Sequence, residues 1–105
     1  ETMPPEHKKT SIKVKVRFFT TLREIVGKKE EQVQLSGSTT LEGLFKQLAR
    51  NYGKDFENYM YDELGNVRGH LQFLINGKSA SAEKGLKTKL RENDQIAILP
   101  PVGGG

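Results

Sequence analysis

A chain of 105 residues, 34% hydrophobic and 29% charged, with a formal net charge of +4, has the size and balance of one small globular domain. With no cysteine it has no disulfide framework, thiolate nucleophile or cysteine metal site, and only His7 and His70 remain as nitrogen ligands. No apolar run approaches the about 18 to 20 residues of a membrane span, and no apolar signal core precedes the body, so a cytoplasmic protein is expected.

Residues 1–10 are polar, with Pro4-Pro5 and Lys8-Lys9 and no periodicity, and read as a flexible leader; Glu1-Thr2 ahead of Met3 is expected to be a cloning remnant. Ile12, Val14, Val16 and Phe18 then alternate with Lys13, Lys15 and Arg17, the period of a strand with one buried face. Thr21 and Glu24 match a capping box, Leu22, Ile25 and Val26 form a stripe, and Gly27 supplies a left-handed stop, which together predict a short helix. Residues 31–35 alternate again, with Val33 and Leu35 inward, as an antiparallel neighbour of the first strand. A second capping box, Thr39 and Glu42, precedes Leu41, Leu44, Phe45, Leu48, Ala49 and Tyr52, whose spacing predicts the one long amphipathic helix, ended by Gly53.

From Lys54 to Gly69 the pattern weakens: Phe56, Tyr59 and Met60 suit a helical turn, and residues 63–66 a loop. Leu71, Phe73 and Ile75 read as a strand, Asn76-Gly77 as a type I′ hairpin turn, and residues 78–80 as the return strand. Leu86 to Leu90 suits a helical turn, residues 92–94 a reverse turn, and residues 95–99 the last strand, with Ile96 and Ile98 inward. One long helix covering about five strands implies an α+β fold, a mixed sheet wrapped around that helix, over residues 11–99, with 100–105 as an extended tail.

Two features escape this core. If Phe18, Phe73, Ile96 and Ile98 face the helix, then Phe19, Leu74, Ala97 and Leu99 face the other way, as an interaction patch or as scattered surface hydrophobics. Charge also alternates: residues 1–17 carry five basic and two acidic residues, 54–63 one basic and four acidic, and 78–91 five basic and one acidic. Such blocks fit docking by complementary charge, or simply solvated surface, and are a poor fit to nucleic acid, which needs a continuous basic face.

The end of the chain is the most specific signal. A strand ending at Leu99 runs into Pro100-Pro101-Val102-Gly103-Gly104-Gly105, so two prolines lift the chain off the sheet and three glycines leave it without side chains. Such an end can thread a narrow tunnel in another enzyme and present its α-carboxylate for reaction with ATP. An incidental flexible end or cloning linker is the competing reading, and Pro-Pro-Val directly after a strand argues against it.

The sequence resembles the MoaD/ThiS-like sulfur carriers, which have a ubiquitin-like β-grasp fold, and among them most closely the molybdopterin synthase small subunits. The resemblance lies in residues 14–19, 22–27, 74–77 and 93–105, and covers roughly residues 11–105. Gly103 stands where the family often has Ser or Thr. The resemblance implies that a ubiquitin-activating-type, MoeB-like enzyme, using its own ATP, adenylates the Gly105 carboxylate, and that a sulfur donor converts it to a thiocarboxylate. The large, MoaE-like synthase subunit would then receive the tail and hold the pterin. Phe19, Leu74, Leu99, Pro100, Pro101 and Val102 would dock against partners, with Gly103 and Gly104 as the threading tail. Arg23 lies beside that patch in family terms, although an ordinary helix-surface arginine is the plainer reading.

No phosphate loop of the G-x-x-x-x-G-K type occurs, so no cofactor is expected on this chain. His7 and His70 have no acidic or thiol companions at ligand spacing, so no metal is expected, and Asp62-Glu63 reads as solvated acids. Two other function classes stay open: a ubiquitin-like protein modifier or a sulfur donor for tRNA thiolation or thiamine, and a non-conjugating β-grasp interaction module.

Overall fold

The computed structural model describes residues 11–80 and 85–100; the leader with His7, and Pro101, Val102, Gly103, Gly104 and Gly105 of the tail, lie outside the described residues. The elements run β1 (Ser11–Phe18), α1 (Thr20–Val26), β2 (Glu30–Ser36), α2 (Leu41–Tyr52), α3 (Lys54–Met60), β3 (Gln72–Ile75), β4 (Lys78–Ala80) and β5 (Gln95–Leu99). The five strands form one mixed sheet in the order β2-β1-β5-β3-β4. β1 pairs antiparallel with β2 and parallel with β5, and β3 pairs antiparallel with both β4 and β5. The last strand in the chain therefore lies in the middle of the sheet.

Alternation along the strands sends one set of side chains to the helices. Val14, Val16, Phe18, Val33, Leu35, Phe73, Ile96 and Ile98 are buried on that face against Leu41, Leu44, Phe45 and Leu48 of α2. Phe45 meets Phe73 with ring centroids 4.9 Å apart, joining the long helix to the sheet. Leu22 and Val26 of α1 complete the core at the end where β1 stops. This is the β-grasp arrangement that the resemblance implied.

The weakly patterned stretch after Gly53 is more ordered than its sequence suggests. Phe56 and Met60, one helical turn apart, are both fully buried, and their burial holds residues 54–60 as a seven-residue helix. Gly53 takes φ +89°, which lets the chain break between α2 and α3.

Three expectations about caps and turns are corrected. The Thr21–Glu24 capping box does not form: α1 begins two residues earlier, behind Phe19, whose carbonyl accepts from the Leu22 and Arg23 amides at 3.1 and 3.3 Å. The N-cap of α2 is Thr40 and not Thr39; the Thr40 hydroxyl accepts from the Gly43 amide at 3.2 Å. Leu86 to Leu90 is a turn and a bridge instead of a helical turn. The carbonyls of Thr88 and Leu86 are taken by the Leu41 and Glu42 amides, at 2.9 and 3.0 Å, so the segment straps the N-terminus of α2 and satisfies donors that a helix leaves open. Asn76-Gly77 forms its hairpin as expected, with φ of +53° and +83°.

Glu31 breaks the polarity pattern. It pairs with Val16, on the core face of the sheet, and its carboxylate accepts from the Tyr52 hydroxyl. Burial and the Glu31 carboxylate together push the Tyr52 phenol well above its ordinary range. Tyr61 is pushed up to about 12, first by burial and then by the charges of Glu42 and Glu57, and its hydroxyl is buried with no hydrogen-bond partner among the described residues. A phenol held protonated by the fold is ionised more easily in the unfolded chain, so these tyrosines contribute stability that is complete below about pH 10 and is lost as pH rises toward 12. Tyr61→Phe should leave stability at pH 7 unchanged or raised by up to about 1 kcal/mol, and should flatten the alkaline loss measured by urea unfolding between about pH 10 and 12. Thr40→Ala should cost about 1 kcal/mol in the same assay, and Thr39→Ala clearly less.

Candidate functional site

The outward face of the sheet follows from the register. Arg17 pairs with Ala97, and Ala97 with Leu74, so these three side chains form one row across β1, β5 and β3. One step further along, Leu99 pairs with Gln72, and Phe19, just past the end of β1, falls level with Leu99 because β1 and β5 run in the same direction. Phe19, Leu74, Ala97 and Leu99 are each half-buried, on the face turned away from the helices, and Pro100, next in the chain, is half-buried too. The outward set anticipated from alternation is thus brought together at the edge where β5 ends.

Phe19 is the organised centre of that edge. The Arg17 and Arg23 guanidinium carbons lie 5.7 and 5.9 Å from its ring centroid, both within cation–π range. Arg23 also donates from Nε to the Phe18 carbonyl at 3.3 Å, so it is fixed beside the ring and is not an ordinary helix-surface arginine. Arg17 reaches Glu30 only at 4.0 Å. The result is an apolar patch with a basic border at the root of the tail.

The opposite end of β5 is latched. The Asn76 side chain donates to Asp94 Oδ1 and accepts from the Gln95 amide, each at 2.9 Å, while Asp94 Oδ2 accepts from the Arg91 amide at 2.8 Å. The Lys15 amide adds a 2.9 Å bond to the Asp94 carbonyl. Asn76 was legible as a turn residue, but its second task, fixing the start of β5, depends on an 18-residue separation that no local pattern displays.

Other candidates do not assemble. His70 is exposed, and the described residues hold no cluster of His, Asp and Glu able to bind a metal. Asp62 shapes its own loop, its Oδ1 accepting from the Leu64 and Asn66 amides at 2.9 and 3.0 Å, and forms no acid pair with Glu63. An open groove on the helical side is walled by Lys46, Arg50 and Lys54 and by Glu57, Asp62 and Glu63, charges that offset one another. No helix among the described residues is long and apolar enough to cross a membrane.

Residues 16–105 match the model of the ThiS family, a span that includes the strand core, the Phe19 edge and the tail. The chain belongs to the ThiS family. Small archaeal modifier protein 3 of Haloferax volcanii is 30% identical over 94 residues, covering 90% of this chain and 100% of that one. The molybdopterin synthase sulfur carrier subunit of Chlamydomonas reinhardtii is 26% identical over 94 residues, again 90% of this chain and 100% of the relative. The solution structure of small archaeal modifier protein 1 from Methanosarcina acetivorans superimposes with a TM-score of 0.74 at 31% identity, over 90% of this chain and 98% of that one. The ubiquitin-like β-grasp and the sulfur-carrier family expected from sequence are both borne out. For this ThiS-family chain the two sheet faces should differ in what they cost to alter: Phe19→Ala and Leu99→Ala about 1 kcal/mol each, Ile98→Ala about 3 kcal/mol or more, by urea unfolding.

Proposed function

We propose that this sulfur-carrier-family chain is adenylated at the Gly105 carboxylate, converted there to a thiocarboxylate, and acts in the cytoplasm as the small subunit of molybdopterin synthase. The observation that supports this best is the placement of the tail root: β5, hydrogen-bonded on both sides, ends at Leu99 and Pro100 beside the Phe19 patch. A carrier needs a rigid stem, a seat for its partners next to that stem, and an end thin enough to enter another active centre. The central strand β5 supports the first, the half-buried Phe19 edge suits the second, and the Gly103-Gly104-Gly105 sequence suits the third.

In this reading a carboxylate oxygen of Gly105 attacks the α-phosphorus of ATP held by a MoeB-like activating enzyme, and pyrophosphate leaves. A persulfide sulfur from the donor then attacks the acyl carbon and AMP leaves; a second thiol, supplied by a partner since this chain has no cysteine, attacks the donor-side sulfur of the resulting acyl disulfide, forming a disulfide with the donor as the thiocarboxylate leaves. Phe19, Leu74, Leu99, Pro100, Pro101 and Val102 seat the partner, and the pterin and its catalytic groups belong to the MoaE-like large subunit. This chain contributes position and a backbone; the activating partner brings the nucleotide.

A second reading, a protein modifier joined through Gly105 to lysines, is favoured by the match to small archaeal modifier protein 3 over its whole length. Deletion of Gly105 in the native cell, with recovery of the proteins attached to the tagged wild type, separates the two. The synthase reading predicts loss of molybdoenzyme activity on deletion and copurification of a larger synthase subunit. Unchanged molybdoenzyme activity overturns the pterin assignment, and isopeptide-linked lysines on the recovered proteins select the modifier.

A further inference from the structure

Seven of the described residues have positive φ, and six of them are residues that accept it: Gly27, Gly53, Gly65, Gly77, Asn76 and Asn93. The seventh is Thr20, a β-branched residue at φ +48°, where the branched Cβ collides with its own backbone. Nothing in the chain's composition forces this, since glycine serves at the other end of the same short helix. Backbone strain of this kind persists only where surrounding contacts over-determine it, and it collects at functional sites.

Its neighbours show what the strain does. Phe19 is still extended, with φ −129° and ψ +149°, and the exposed, left-handed Thr20 is the first residue of α1, so the chain turns off β1 within one residue. That abrupt turn puts the Leu22 and Arg23 amides onto the Phe19 carbonyl and carries the Arg23 side chain back over the Phe19 ring and onto the Phe18 carbonyl. A glycine would permit the same turn and many others besides. Threonine permits few, and so holds Phe19 in one place beside the root of the tail.

We infer that Thr20 is a positioning residue: its strained left-handed backbone locks Phe19 and Arg23 into the arrangement that partners of the tail dock against. The inference rests on the docking role proposed for the Phe19 edge, and it adds a stability cost accepted for preorganisation. Stability and docking should therefore move in opposite directions when the strain is released.

Four proteins test it: wild type, Thr20→Gly, Thr20→Asn and Phe19→Ala, each measured for thermal midpoint and as substrate in ATP–pyrophosphate exchange by the adenylating enzyme of the same organism. Thr20→Gly should melt several degrees higher, while its KM rises about fivefold with kcat unchanged. Asparagine tolerates the left-handed region while keeping a side chain, so Thr20→Asn should melt no lower than wild type and retain a wild-type KM. Faster amide exchange at Arg23 in Thr20→Gly alone gives a readout independent of the enzyme. A lower melting point for Thr20→Gly, or an unchanged KM while Phe19→Ala raises KM, overturns the inference and leaves the docking reading intact. An unchanged KM for Phe19→Ala overturns both.

Discussion

The parallel pairing of β1 with β5 is the constraint on which the rest of the structure depends. Two strands far apart in sequence run in the same direction side by side, so the end of the first and the end of the last reach the same edge of the sheet. Phe19 can stand beside Leu99 and Pro100 only because of that pairing. Parallel neighbours cannot be joined by a tight turn, and here the intervening chain provides α1, α2 and α3, the covering layer of the fold. One hydrogen-bonding choice thus places the core, the patch and the tail root together.

β5 is held more firmly than its five residues suggest. It has a strand on each side, Ile96 and Ile98 are buried beneath it, and the Asn76–Asp94 latch holds its start. A central strand resists fraying better than an edge strand, because both of its rows of backbone groups are paired. The outward residues on the same strand, Ala97 and Leu99, stay half-buried and available. Full burial and partial exposure are therefore divided between the two faces of a single element.

Much of this was legible in the sequence because it is written in short periods. The alternation of Ile12 to Phe18, the heptad-like stripe of α2 and the Asn76-Gly77 turn each report on residues a few positions apart, and the structure follows them. Phe19, Leu74 and Leu99 could be assigned outward from parity alone, since a strand offers only two faces. What could not be read was set by long-range partners: the strap from residues 86–90 that caps α2, the Tyr52 hydroxyl that makes an inward Glu31 tolerable, and the latch on Asp94. The expected N-caps lie two residues from the observed one at α1 and one residue from it at α2, because a strained turn at Thr20 and tertiary hydrogen bonds from the 86–88 segment decided where each helix starts. The position of Arg23 beside Phe19 was not legible either, because a lone arginine on a helix looks solvated until the aromatic ring next to it is in place.

The account's central claim is that the backbone end of this chain, and no side chain of it, carries the transferred atom. Intact-mass spectrometry of the protein taken from its native cells tests that claim most directly. The account predicts a population ending at Gly105 in which one carboxyl oxygen is replaced by sulfur, the substitution mapping to the terminal residue. Protein that retains residues beyond Gly105, or that ends there and never carries sulfur in cells assembling active molybdoenzymes, would contradict it.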